Sequence, residues 1–213
     1  MTRLSYERDP AEIYRQSFAT IENEVDFSKL PSDMTPVAVR LIHACGMTNI
    51  VDDLAYSQNA VAVGHKALVE GCSIFTDVEM VKSGIIRKFL PSDNSLICTL
   101  NEIKVPELAK EIGNTRSAAA VEKWGDKLEG AIVVIGNAPT ALFHLFELLD
   151  EGSPKPALII GIPVGFVGAV ESKVELAENS RGCEFITVHG RRGGSAIAAA
   201  ALNAIAAGAA RDG

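Results

Sequence analysis

The sequence has little positive charge, few aromatic rings and no long apolar run. Lys and Arg number 20 against 27 Asp and Glu, a formal net charge of −7. A nucleic-acid surface needs a basic stripe and an anionic lipid surface attracts basic segments, so both partners are disfavoured. The most apolar stretch, 195–210, is mostly alanine and is interrupted by Asn203. It falls short of the roughly 20 apolar residues that cross a bilayer and reads as a buried, close-packing helix, with no membrane span. Met1 to Pro10 is polar and charged and lacks the apolar segment of a secretory signal. The four cysteines (Cys45, Cys72, Cys98 and Cys183) form no C-x-x-C pair and are expected to be free thiols packed as small hydrophobes. Together these absences predict a cytoplasmic protein.

Standard catalytic motifs are missing too. There is no G-x-x-x-x-G-K-[ST] phosphate loop, and no strand leads into G-x-G-x-x-G with an acidic residue about twenty positions on. The G-x-S-x-G nucleophile elbow is absent. His65, His144 and His189 lack partners at metal-ligand spacing, so no metal site is expected.

What remains is a chain of 213 residues, with 47% hydrophobic and 22% charged positions. That is enough to bury a sizeable core without disulfides or metal. Helical patterns alternate with short β-branched runs, which predicts an α/β fold: one domain over 1–213, a mostly parallel sheet with helices on both faces and an N-terminal helical portion. Tyr14, Phe18, Ile21 and Val25 recur at helical spacing within the first helix, over Asp9–Glu24. Ser32 or Asp33 is expected to cap a second helix that stops at Gly46, and Gln58–Glu70 a third that stops at Gly71. Strands are expected at Cys72–Thr76, Leu96–Leu100, Ala131–Ile135, Ala157–Ile162 and Glu184–Val188. Helices are expected at Asp77–Gly84, Ser117–Leu128, Pro139–Asp150, Ala169–Ala177 and Ser195–Ala207. Ile132-Val133-Val134-Ile135 does not alternate, as suits a strand covered on both faces.

Three groups of residues carry chemistry. In Arg40-Leu41-Ile42-His43-Ala44-Cys45-Gly46, Val37, Leu41 and Ala44 share one helix face, expected to be buried. Arg40 and His43, three apart, share the other. A guanidinium beside an imidazole makes the protonated ring a readier donor, so His43 is a candidate acid, although a plain surface histidine reads the same way. In Ile112-Gly113-Asn114-Thr115-Arg116-Ser117, free N–H groups at a helix start and an Arg fork suit a carboxylate; Thr115 or Ser117 as a simple cap fits equally well. Gly136-Asn137-Ala138-Pro139-Thr140, Gly161–Gly168 and Gly190–Ser195 are glycine-marked strand exits, the places where α/β sheets bind ligands.

Arg40–Gly46, Glu111–Ala120, Gly136–Phe143 and Pro163–Ala169 followed by Glu171-Ser172-Lys173 resemble, in this order, the precorrin-8X methylmutases (precorrin isomerases) of cobalamin biosynthesis. The similarity runs from about Tyr14 to Asn203. It implies an isomerase that moves a methyl group from C-11 to C-12 of the corrin precursor precorrin-8X, giving hydrogenobyrinate. The family's catalytic histidine, the proton donor or acceptor, falls on His43, and its substrate contacts on Ser17 and Arg40. Asn114, Thr115, Arg116, Ser117, Asn137 and Thr140 are carried over as pocket walls.

The same resemblance implies a homodimer with the pocket near the subunit interface. A methyl shift on a conjugated ring is redox-neutral, so no nicotinamide, flavin or metal cofactor is expected. The substrate's acetate and propionate arms are anionic while the chain carries −7, so local donors must bind them: Arg40, Arg116, helix N-termini, and Arg191 or Arg192 unless that pair is merely solvated. With one Trp and 6% aromatics, aliphatic groups and glycine backbone such as Pro163–Gly168 are expected to line the flat ring. The alanine-rich last helix is left to serve either the core or a dimer contact. Three alternatives stand: the cobalt-precorrin-8 enzyme of the anaerobic branch, a non-catalytic tetrapyrrole carrier, and an α/β nucleotide-using transferase.

Overall fold

A computed structural model describes residues 4–212. Two helices open the chain: α1 (Pro10–Glu24), capped by the Asp9 carboxylate, and α2 (Thr35–Cys45). A 3-10 helix (Thr48–Asp53) then leads into β1 (Leu54–Tyr56). There follow α3 (Ala60–Val69), β2 (Ile74–Thr76), α4 (Glu79–Gly84), β3 (Leu96–Ile97), α5 (Val105–Glu111) and α6 (Arg116–Glu122). The chain ends with β4 (Ile132–Ile135), α7 (Pro139–Asp150), β5 (Leu158–Gly161), α8 (Ala169–Glu178), β6 (Glu184–Val188) and α9 (Ser195–Asp212).

The strands form one six-stranded sheet in the order β1-β6-β5-β4-β2-β3. All neighbours run parallel except β1, which pairs antiparallel with β6. Every residue of β4 and β5 is buried because both faces are covered. Ile132, Val134, Leu158, Ile160, Ile186 and Val188 point to the side carrying α2, α3, α4 and α9. Phe75, Val133, Ile135, Ile159 and Phe185 point to the side carrying Trp124, α7 and Leu176.

The expected α/β architecture is present, with local corrections. Neither Ser32 nor Asp33 caps α2. The chain turns first, with the Met34 N–H donating to the Pro31 carbonyl at 3.0 Å, and the helix starts at Thr35 with Pro36 in its first turn. Ala44 is exposed rather than buried with Val37 and Leu41: in the last turn of α2 it is Ile42 that faces the core, with Cys45 packed against it. The helix expected at Ser117–Leu128 breaks after Glu122, and a separate 3-10 turn covers Gly125–Leu128. The strand at Leu96 ends at Ile97; two residues on, the Thr99 hydroxyl donates to the Ala120 carbonyl at 2.7 Å and accepts the Trp124 indole N–H at 3.1 Å. Elements β1 and α5 were not anticipated. Three residues, Leu54–Tyr56, form a strand only because β6 supplies the ladder.

The last helix serves the core. It packs against α2, α3 and α4, burying Ile197, Ala198, Ala201, Leu202 and Ile205. Buried Asn203 accepts the Ile86 N–H at 2.8 Å and donates to the Gly84 carbonyl at 2.9 Å. One polar residue in the alanine run thus ties α9 to the end of α4. All four cysteines are free, and burial pushes the Cys72 thiol up to about 11. Among the described residues no helix is long and apolar enough to cross a membrane.

Candidate active site

The antiparallel start of the sheet decides where His43 sits. Leu54 pairs with Val188, so the 3-10 helix before β1 lies beyond the carboxyl end of β6, where the His189 N–H donates to the Asp53 carbonyl at 2.8 Å. Helix α2 enters that 3-10 helix through Gly46, whose left-handed φ of +68° closes the helix. His43, in the last turn of α2, is thereby brought to the edge of the sheet at which parallel strands end.

There the imidazole is exposed and lines a cleft of about 470 Å³ with Ser17, Gln16 and Thr20 of α1. Its ring lies against Tyr14, with centroids 5.4 Å apart and planes at 34°, and against the edge of Phe18 at 5.2 Å and 86°. Glu24 and Thr48 are shared with an adjoining cleft of about 570 Å³ that also presents Asp26 and Asp52. The two clefts form a trough between α1 and the 3-10 helix, acidic at its far end.

Of the residues expected at the site, Ser17 and His43 therefore meet. Arg40 does not share their cleft. Its guanidinium lies 5.8 Å from the Phe18 ring and 5.1 Å from the Phe89 ring, in a neighbouring cleft of about 450 Å³. The i, i+3 spacing puts Arg40 and His43 on one side of α2, but Phe18 packs against both and turns them into different openings.

Asn114, Thr115, Arg116, Ser117, Asn137 and Thr140 form a second group, at the starts of α6 and α7 on the opposite face of the sheet. Thr115 caps α6, accepting the Ala118 N–H at 3.1 Å, and its hydroxyl meets that of Thr140 at 2.8 Å. The Asn114 side chain accepts the Thr115 N–H at 2.8 Å. Arg116 donates to the Leu100 carbonyl at 3.1 Å and to the Asn101 side chain at 3.4 Å. Ser117 is half-buried, and Asn137 is exposed.

At the strand exit Gly136–Thr140, read from the sequence as a ligand-binding place, the N–H groups of Gly136, Asn137 and Ala138 are taken by the buried carboxylate of Asp77. The signal for Asp77 was an acid directly after a strand. Arg192 is not a solvated cation either: it is half-buried, donates to the Asn49 side chain at 2.8 Å and pairs with Asp53. Arg191 is exposed, 5.2 Å from the exposed Phe166 ring. Lys173, fully buried, donates to the Arg192 carbonyl at 2.7 Å, and burial holds its ammonium down to about 8. Together these contacts bolt the exit of β6 to the 3-10 helix that walls the trough.

The chain has close relatives among known proteins. The family model of precorrin-8X methylmutase matches residues 12–207. A precorrin-8X methylmutase of Pseudomonas aeruginosa is 59% identical, over 95% of this chain and 98% of its own. One from Sinorhizobium sp is 51% identical, over 97% and 98%. A crystal structure of precorrin-8X methylmutase from Thermus thermophilus superposes with a TM-score of 0.85 at 35% identity, over 95% of this chain and 98% of that one. Fold, length and sequence agree along nearly the whole chain, which belongs to the precorrin-8X methylmutase family.

Proposed function

We propose that this chain is an isomerase that moves the C-11 methyl group of precorrin-8X to C-12, giving hydrogenobyrinate, with His43 exchanging a proton with the macrocycle. The observation that carries this reading is the exposed His43 imidazole, opening with Ser17 into a cleft at the carboxyl edge of the sheet. A general acid or base must reach the proton it transfers, and an open ring beside a hydroxyl satisfies that requirement. The reaction adds and removes no atoms and no electrons. The protein's part is to hold the macrocycle and to place a proton that makes the migrating system electron-poor, a contribution of roughly 10²–10⁴ in rate.

Substrate contacts are assigned to Ser17 and Arg40, with the Asn114–Ser117, Asn137 and Thr140 group as further wall. Because these two groups occupy opposite faces of one chain, a homodimer that sets one copy's second group beside the other's His43 is the assembly we favour. The names of the relatives at 59% and 51% identity support the metal-free ring over its cobalt counterpart. Four free thiols suit a reducing, cytoplasmic setting.

The test is absorbance spectroscopy with purified precorrin-8X. The methyl shift changes the chromophore's conjugation, whereas a carrier would bind without that change. His43→Ala is expected to bind the macrocycle and leave its spectrum unconverted. Near-normal turnover by this variant would remove His43 from the reaction.

A further inference from the structure

We infer that Tyr14 is a positioning residue for the methyl transfer: its ring, laid against the His43 imidazole, sets the direction in which that imidazole faces the Ser17 cleft. The inference rests on the reading of His43 as the proton-exchanging group.

Among the described residues no hydrogen bond holds the His43 ring; its side-chain contacts are with Tyr14 and Phe18. A histidine that transfers protons usually has one nitrogen tied to a carboxylate or carbonyl, which fixes the ring's orientation. Here the ring sits in the exposed last turn of a helix, where side-chain rotamers interchange rapidly unless something packs against them. Two aromatic rings take the place of the missing acceptor. Phe18 meets the imidazole edge-on at 86°, and Tyr14 lies across it at 34°. Tyr14 and Phe18 are one helical turn apart and hold each other in a T-shaped pair at 5.5 Å, so the cradle is rigid. Ser17 and Thr20 sit on the neighbouring face of the same helix and line the cleft. Helix α1 therefore presents substrate-facing groups on one stripe and the His43 support on the next.

Tyr14 is 48% exposed, while α1 is anchored to the core through Ile21. Removing the Tyr14 ring should leave the fold intact, so what it supports is the imidazole. Small misplacements of a reacting group are costly to rate without changing how the substrate is held.

The experiment compares Tyr14→Ala, Tyr14→Leu and Tyr14→Phe with His43→Ala, reading kcat and KM for precorrin-8X and the thermal midpoint. The Ala and Leu variants are expected to lose about tenfold in kcat with KM within about twofold of wild type, and Phe to restore wild-type turnover. Leu keeps apolar bulk without a flat ring, so it separates ring packing from folding. Wild-type kcat in Ala and Leu beside an inactive His43→Ala overturns the inference. A Phe variant as slow as Ala overturns it in favour of the hydroxyl, and a change confined to KM overturns it in favour of a substrate contact. Turnover by His43→Ala would instead sink the underlying reading, and Tyr14's role with it.

Discussion

Asp77, the residue after β2, accepts the N–H of Gly136, the residue after β4, at 3.0 Å. Its other carboxylate oxygen takes the N–H groups of Asn137 and Ala138 at 2.9 and 2.8 Å. Strands β2 and β4 are parallel neighbours, so one side chain closes the seam where they leave the sheet side by side. Burial pushes the Asp77 carboxyl up, against the downward pull of three N–H donors. The first turn toward α7 is thus organised by the protein's own anion, and Asn137 and Thr140 inherit their places from it.

Asp77→Ala strands three donors at once. At about 1–3 kcal/mol for each unsatisfied buried group, partly relieved by water, the expected loss of stability is about 3–5 kcal/mol, read by urea unfolding. Asp77→Asn, which keeps one acceptor oxygen, should lose less. An unchanged unfolding midpoint in the Ala variant would mean that these N–H groups find other partners.

Gly136 is needed for close approach. A Cβ there would lie 2.9 Å from the Ser195 Cα, the Ala198 Cβ and a Val81 methyl. Gly136→Ala should therefore cost about 1–3 kcal/mol by overpacking. A thermal midpoint at the wild-type value would show that α9 can move aside.

Lys173 makes stability depend on alkaline pH. Its ammonium sits at about 8 in the fold against 10.5 ordinarily, burial outweighing the opposite pull of Asp53. Between these values the unfolded chain still holds a proton that the folded chain has released, so this group favours folding increasingly as pH rises. The unfolding free energy of wild type minus that of Lys173→Met should climb from about pH 8 to pH 10.5. A flat difference would contradict the assignment.

Arg40→Ala should weaken tetrapyrrole binding by about 1–3 kcal/mol, the scale of a hydrogen bond to a charged group. Because Arg40 opens into the cleft beyond Phe18, this loss requires the bound macrocycle to reach past that ring. Unchanged affinity in a spectroscopic titration would remove Arg40 from the site.

Much of the fold was legible in advance. Pro139–Asp150 and Glu184–Val188 are found at the bounds their patterns predict, because a proline start and a β-branched run are local signals. The short β1 and the broken helix after Glu122 were not legible. The first depends on a partner strand far along the chain; at the second stands the buried Trp124, whose indole N–H donates to the hydroxyl of Thr99, well away in sequence. In the candidate site, Ser17 and His43 were named from the sequence and do share a cleft. Tyr14, Asp77 and Lys173 stand in the sequence only as part of a helical face, a helix start and a family motif, because an exposed ring, a buried acid and a buried lysine take their roles from what they touch.

The order of apolar runs, proline starts and glycine stops determined the alternation of strands and helices, since those preferences act within a few residues. Tertiary structure decided the rest. Phe18 divides Arg40 from His43, and the Asp77 carboxylate takes the donors at a strand exit that reads as a ligand-binding place. A hydrogen bond or ring contact between distant segments exists only once the chain has brought them within a few ångströms, and no spacing along a sequence encodes that distance.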